Sequence, residues 1–362
     1  AIVRRNSEVG GPGILFENIR DYPGYRTIGC YADTWGKTAL LMEIDPQTPP
    51  PEIMAEWERK MAKRLKPVEV KEGPCQEVVM TGKDVDLSKL PIPMPHDGDG
   101  GRYNTLYTVV TKDPDTGWVN WGVYRTMVYN EKFLTGLLMP TQDIGRHWAK
   151  YKGQGKPMPF AMFFGGDLLY GVISAAPVGV GVDEVDVVGG IRGEPVKLVK
   201  CKTVDLMVPA DAEIVFEGHV LPDIQLEEGP YGEYTGYRSV PREPRPVYQV
   251  ECITQRKDPI YVTQNNCPPS PCDIYLFWII NMTNAASKLL HSLQLPVTGV
   301  YVPPEGVGHV IVVSVKKTYE HIAEQIGHIL AGNPSTIIAM DKLLVVEDDV
   351  DIYNWNEVIH AM

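Results

Sequence analysis

The chain has 362 residues, 44% hydrophobic and 22% charged, with a formal net charge of -12. That length exceeds one small core and predicts two or three domains of an ordinary globular protein. An acidic balance without a basic cluster argues against a nucleic-acid partner or an anionic lipid surface, and no apolar run is long enough to span a bilayer. The six cysteines (Cys30, Cys75, Cys201, Cys252, Cys267 and Cys272) are scattered and form no disulfide scaffold, which points to the cytoplasm. Cys267 and Cys272 flank Pro-Pro-Ser-Pro and have no matching second pair, so they read as structural rather than metal-binding. The chain opens at Ala1 without a methionine or a signal peptide and ends inside a helical pattern at Val358-Ile-His-Ala-Met362, so further residues are expected beyond both ends.

In chain order, residues 1–96 mix short apolar runs (24–31 and 39–44) with a helical pattern over 51–65 that puts Ile53, Trp57, Met61 and Leu65 on one face. This predicts a small α/β domain. Pro91-Ile-Pro-Met-Pro-His96-Asp-Gly-Asp-Gly-Gly-Arg-Tyr103 is dense in helix and strand breakers and reads as a boundary or an ordered approach to an active site. Strands are predicted over 105–112, 117–129, 160–165, 206–217 and 245–256, with helices over 141–152 and 183–191, the second lying before Gly193. The spacing points to a β-rich central domain, a barrel. From 271 the pattern changes to helix 273–293, strand 308–316, helix 319–330 and strand 342–347, the β-α-β order of a separate α/β domain with a parallel sheet. There is no internal repeat or low-complexity segment.

No dinucleotide fingerprint, Walker A loop or nucleophile elbow is present. Four other segments stand out. Asn120-Trp-Gly-Val-Tyr-Arg125 lies in a predicted strand, where period-two alternation puts Asn120 and Gly122 on one face and Arg125 on the other unless a bulge intervenes. Asp143 and His147 are four apart on a helix and share a face. Glu184 and Asp186 begin another helix. Glu228-Gly-Pro-Tyr-Gly-Glu233 places two carboxylates around a Gly-Pro turn. Such a turn is either a surface bend with solvated acids or a device that holds two acids at fixed separation. In the second case one stays protonated near neutral pH, because two close carboxylates do not both ionise cheaply.

Together these segments resemble the UbiD family of reversible (de)carboxylases, which use prenylated FMN. The resemblance is carried by His96-Asp-Gly-Asp-Gly-Gly-Arg-Tyr103, Asn120-Trp-Gly-Val-Tyr-Arg125, Gly193-Glu-Pro-Val-Lys-Leu-Val-Lys-Cys201, Val208-Pro-Ala-Asp-Ala-Glu-Ile-Val-Phe-Glu-Gly218, Glu228-Gly-Pro-Tyr-Gly-Glu233 and Asn356-Glu-Val-Ile-His-Ala361. These blocks stand in family order over nearly the whole chain.

The resemblance implies a multidomain α+β fold. An N-terminal α/β domain (1–96) precedes a central split β-barrel that binds flavin (97–270) and an incomplete C-terminal α/β domain (271–362). It implies a catalytic trio of Arg125, Glu228 and Glu233, with Glu228 as the arginine's partner and Glu233 as the proton donor. The implied reaction is reversible, non-oxidative decarboxylation of an aromatic or α,β-unsaturated acid through a covalent adduct with the cofactor. A divalent metal, manganese with magnesium or iron as alternatives, and a nearby potassium ion are implied to hold the flavin phosphate. Its ligands fall on Asn120, Glu184 and, where the family has histidine, Asp143, with His147 one turn away as the alternative. Trp121, Gly122, Val123, Arg125, Gln142, Ser174, Ala175, Ala176, Pro177 and Lys342 fall at cofactor-lining positions, and Met139 at a wall of the substrate pocket. A homodimer or higher homo-oligomer such as a hexamer is expected. The alternatives within the family are a carboxylase subunit or a decarboxylase of an aromatic acyl-CoA. From another class comes a non-catalytic flavin-binding or assembly protein, which the joint presence of Arg125, Glu228 and Glu233 opposes.

Overall fold

A computed structural model of the chain describes residues 2–238, 240–264, 273–333 and 341–362. Cys267 and Cys272 lie outside the described residues. The fold is α+β, with four sheets among the described residues. None of the described helices is long and apolar enough to cross a membrane.

The helix Pro50–Met61 begins with a proline already set for helical φ and buries Ile53, Met54 and Trp57. It stops four residues earlier than its periodicity predicts. The Leu65 amide instead donates to the Asp186 carbonyl, and Pro67 disfavours helical backbone at the residue before it. Trp57 is 1% exposed, and its indole N–H donates to Asn281 Oδ1 at 3.1 Å, on the helix Asp273–Ser292. Trp57→Ala removes both the packing and the partner of Asn281. It is expected to destabilise the protein by about 3–5 kcal/mol, read as a lower urea midpoint at unchanged m.

Residues below 97 contribute strands to three of the four sheets. Arg26–Gly29 pairs with Ile260–Val262, Val68–Val70 with Lys197–Lys200, and Val78–Thr81 with Glu243–Gln255. The central sheet has nine strands and is antiparallel throughout. Its order is Tyr103–Asn104, Thr126–Val128, Phe133–Gly136, Glu243–Gln255, Ile214–Glu228, Met158–Phe164, Thr108–Lys112 and Val119–Gly122, with Val78–Thr81 as a branch on Glu243–Gln255. Its two end strands are not paired with each other, so the expected barrel is not closed among the described residues.

Two features of this sheet position the site. The single strand expected over 117–129 is two strands, Val119–Gly122 and Thr126–Val128, on different neighbours. The backbone leaves the ladder between them, at Val123 to Arg125, where the Tyr124 phenol folds back over Gly122. A Cβ on Gly122 would lie 2.2 Å from the Tyr124 oxygen. The long hairpin of Ile214–Glu228 and Glu243–Gln255 carries two register shifts, and its last paired rung is Glu228 opposite Glu243. The carboxylate turn therefore starts where the ladder ends.

In the C-terminal region Val310–Val315 and Lys342–Glu347 pair in parallel, as the β-α-β order predicts. Val297–Tyr301 adds an antiparallel strand, so the sheet is mixed. A short connection is enough for an antiparallel neighbour, whereas the parallel pair needs a longer crossover, here one that contains the helix Ile322–Ala331.

Candidate active site

The break at Val123 to Arg125 turns the Arg125 guanidinium toward the end of the long hairpin. Its Nε donates to Glu228 Oε1 at 3.1 Å and its Nη2 to Glu228 Oε2 at 3.3 Å, while Nη1 donates to Glu233 Oε1. One planar cation thus holds both acids of the turn, a geometry that an ammonium does not offer. Glu228 is 2% exposed and also accepts the Tyr103 hydroxyl at 2.9 Å, with Arg245 Nε 3.9 Å from its other oxygen. The guanidinium lies 5.0 Å from the centroid of the Tyr231 ring, which packs against Tyr103 at 4.5 Å. Arg125, Glu228 and Glu233 are therefore one ion cluster, with Glu228 buried and the other two half-buried.

Burial raises the Glu233 carboxyl above the ordinary glutamate range. The Glu228 charge adds to the rise, and Arg125 opposes both. Burial and the Glu228 charge likewise push the Tyr103 phenol up, which keeps it a neutral donor. The Tyr234 phenol, pushed up to about 12 by burial, also feels Glu233 and Asp341, the residue before the strand Lys342–Glu347. Its ring meets Trp278 of the helix Asp273–Ser292 at 6.4 Å. The turn thus faces the C-terminal region.

A second constellation lies along the strand Val119–Gly122. Asn120 is buried, and its amide Nδ2 donates to the Tyr124 hydroxyl at 3.4 Å. Glu184, first residue of the helix Glu184–Arg192, is 3% exposed and accepts the Trp121 N–H at 2.8 Å. Burial pushes its carboxyl up to about 8, and the charges of Asp143 and Asp183 add to this. The buried Tyr124 phenol feels both Asp143 and Glu184. The Asn120 amide and the charges of Asp143 and Glu184 thus all bear on the Tyr124 phenol. Among the described residues no basic side chain pairs with Glu184, and no three His, Cys, Asp or Glu side chains gather to hold a metal by themselves. The set becomes three oxygen donors only with the Asn120 amide. Two carboxylates and an amide oxygen match the chemistry of a hard divalent cation, which would supply the positive charge that the buried Glu184 lacks.

Asp143 begins the helix Asp143–Gly153, with Gln142 at its N-cap position and Arg146 Nη1 3.0 Å from its Oδ1. His147 is buried one turn on, where it still feels the Asp143 charge. Its Nδ1 lies 2.9 Å from Thr111 Oγ1, its Nε2 is 3.9 Å from Asp113 Oδ2, and its ring stands edge-on to Trp118. Met139 is partly exposed, and its carbonyl runs so close to Gly145 that a Cβ there would come within 1.9 Å. Trp121 and the Ser174 end of the helix Leu169–Ser174 are joined through Tyr170. The Trp121 ring packs 5.7 Å from the Tyr170 ring, and Ser174 Oγ donates to the Tyr170 carbonyl at 2.7 Å. Lys342 is exposed, and its ammonium makes no ion pair among the described residues. Tyr103, Tyr231 and Asp99 were assigned no role from sequence. Their signal in the sequence is their place in the blocks His96 to Tyr103 and Glu228 to Glu233, which carry the family resemblance.

Residues 66–269 match the sequence model of the UbiD 3-octaprenyl-4-hydroxybenzoate carboxy-lyase Rift-related domain, and residues 277–362 match that of its C-terminal domain. The chain is 32% identical over 381 residues to the pyrrole-2-carboxylic acid decarboxylase of Pseudomonas aeruginosa, covering 100% of this chain and 76% of the relative. It is 33% identical over 389 residues to ferulic acid decarboxylase 1 of Saccharomyces cerevisiae, with the same coverage of 100% and 76%. Among solved structures it resembles the closed form of the vanillic acid decarboxylase of Sedimentibacter hydroxybenzoicus (TM-score 0.90, 28% identity, covering 99% of this chain and 77% of that one). It also resembles an evolved dimeric form of the UbiD-class enzyme HmfF of Pelotomaculum thermopropionicum in complex with prFMN (TM-score 0.88, 28% identity, 99% and 82%). With both of its domain models matched in order and whole-chain relatives above 30% identity, the chain belongs to the UbiD family of carboxy-lyases.

Proposed function

We propose that the chain decarboxylates an aromatic or α,β-unsaturated carboxylic acid, reversibly and without net oxidation, with prenylated FMN as cofactor. The observation that carries this reading is the single guanidinium of Arg125 shared between a fully buried Glu228 and a Glu233 whose carboxyl is held toward its neutral form. When bound, prenylated FMN supplies the electron sink for the carbanion left as CO₂ departs.

The residues divide the remaining work. Glu228, with donors from Arg125 and Tyr103, anchors the guanidinium in a fixed plane. Arg125 orients the substrate carboxylate. Glu233 carries the proton and delivers it to the carbon that has lost CO₂; in the carboxylating direction its ionised form takes the proton away. Asn120, Asp143 and Glu184 would hold a divalent cation, manganese first and magnesium or iron as alternatives, with potassium beside it. Trp121, Gly122, Val123, Gln142 and the Ser174 to Pro177 loop would line the flavin, Lys342 would pair with its phosphate, and Met139 would wall the substrate. In this reading the eight strands that residues 97–270 give to the nine-stranded sheet, with Val78–Thr81 added as a branch, make the split barrel of a central domain between α/β domains over 1–96 and 271–362.

Purification after co-expression with a flavin prenyltransferase tests the proposal. Expected is a protein that carries a modified flavin by absorbance and mass, and that releases CO₂ from a panel of aromatic and cinnamate-type acids. A flavin-free preparation that does neither would refute it.

A further inference from the structure

The geometry points to Asp99 as the positioning residue of the proton donor: its buried carboxylate clasps the backbone of the catalytic turn one residue before Glu233. This inference rests on the reading of Glu233 as the donor.

The Asp99 side chain is 0% exposed. Its Oδ1 accepts the Gly232 N–H at 2.9 Å and lies 3.5 Å from Arg238 Nε. Its Oδ2 accepts the His96 N–H at 2.9 Å and lies 3.3 Å from His96 Nδ1. The adjacent Gly100 N–H donates to the Pro230 carbonyl at 2.7 Å. Two neighbouring residues of one loop therefore grip both sides of the Pro230 to Gly232 segment.

The fit is close. A Cβ on Gly100 would fall 1.8 Å from the Gly229 carbonyl oxygen, and one on Gly232 would fall 2.5 Å from His96 Nδ1. Arg242 closes the clasp from outside, donating to the Gly229 carbonyl at 3.0 Å and the Gly100 carbonyl at 2.8 Å. Glu233 follows this gripped backbone directly, its own N–H donating to the Tyr237 carbonyl at 3.0 Å and its carbonyl accepting the Gly236 N–H at 2.9 Å. Among the described residues the Asp99 carboxylate bonds to Gly232, His96 and Arg238 and not to Arg125, Glu228 or the Glu233 carboxyl, so its action runs through the backbone. A charged acceptor suits this place, because ionised acceptors hold N–H donors more tightly than neutral ones.

The test compares Asp99→Ala, Asp99→Asn and Glu233→Gln in the flavin-loaded enzyme. For Asp99→Ala, kcat should fall about 100-fold, the cost of a displacement near 1 Å at the reacting group, while KM and flavin occupancy stay within about twofold of the parent. Asp99→Asn keeps a carbonyl oxygen for Gly232 and should recover about tenfold of that loss. A parent-like kcat in Asp99→Ala would overturn the inference, as would loss of kcat only in step with flavin occupancy. If Asp99→Ala does not fold, Asp99→Asn decides alone: a roughly tenfold lower kcat at unchanged KM supports the clasp, and an unchanged kcat refutes it. Glu233→Gln separates the two readings. If it keeps full proton exchange, the donor assignment falls and takes this inference with it. If it is inactive while Asp99→Ala is unimpaired, only the role of Asp99 falls.

Discussion

Glu233→Gln is expected to lower kcat for decarboxylation by about 10³-fold and to abolish exchange of the new C–H hydrogen with D₂O. The amide keeps the size of the carboxyl and accepts from Arg125 through its carbonyl oxygen, so the cluster keeps its shape. It does not give up a proton. The parent enzyme also has a signature in pH. Burial and the Glu228 charge raise the Glu233 carboxyl above its ordinary range, so the neutral acid persists to higher pH than in a solvated glutamate. Decarboxylation, which needs that acid, should slow as pH rises through the raised value. The residual rate of Glu233→Gln should lack this limb. Retained exchange in the variant would remove Glu233 from the donor role.

Glu184→Ala should reduce both metal and flavin content of the purified protein at least tenfold, measured by elemental analysis and flavin absorbance. Glu184 is a buried carboxylate with no basic partner among the described residues, and its carboxyl is raised to about 8. A cation beside it favours the ionised form and releases the proton; without the carboxylate the cation loses a charged ligand. The same measurement separates its two neighbours. The Asp143 charge acts on both Glu184 and the Tyr124 phenol, whereas His147 has its ring nitrogens toward Thr111 and Asp113. Asp143→Ala should therefore lose metal, and His147→Ala should keep it while unfolding at lower temperature. The opposite pattern would make His147 the ligand.

Much of the fold was legible because the relevant signals are local. The helices Asp143–Gly153 and Glu184–Arg192 and the strand Lys342–Glu347 fall within two residues of their predicted limits, since periodicity and flanking glycines are properties of adjacent residues. What failed depended on distant partners. The helix from Pro50 stops at Met61 because Leu65 spends its amide on Asp186. The strand over 117–129 breaks because its halves pair with different neighbours and Tyr124 folds over Gly122.

The candidate site divides along the same line. Residue types in order, from His96 to Tyr103, Asn120 to Arg125 and Glu228 to Glu233, were enough to mark the family and to nominate the chemical groups. Sequence left open whether the Glu228 turn was a solvated bend or a buried pair of acids. Tertiary structure decided it, by carrying Arg125 across 103 positions to a buried Glu228 and joining the half-buried Glu233 to the same guanidinium. It also turned Asp143 and His147, one helical turn apart, toward different surroundings, and it made Asp99 a clasp on the turn. The physical reason is that protonation and hydrogen bonding depend on burial and on which charges stand within a few ångströms. Both are set by packing between segments far apart in the chain.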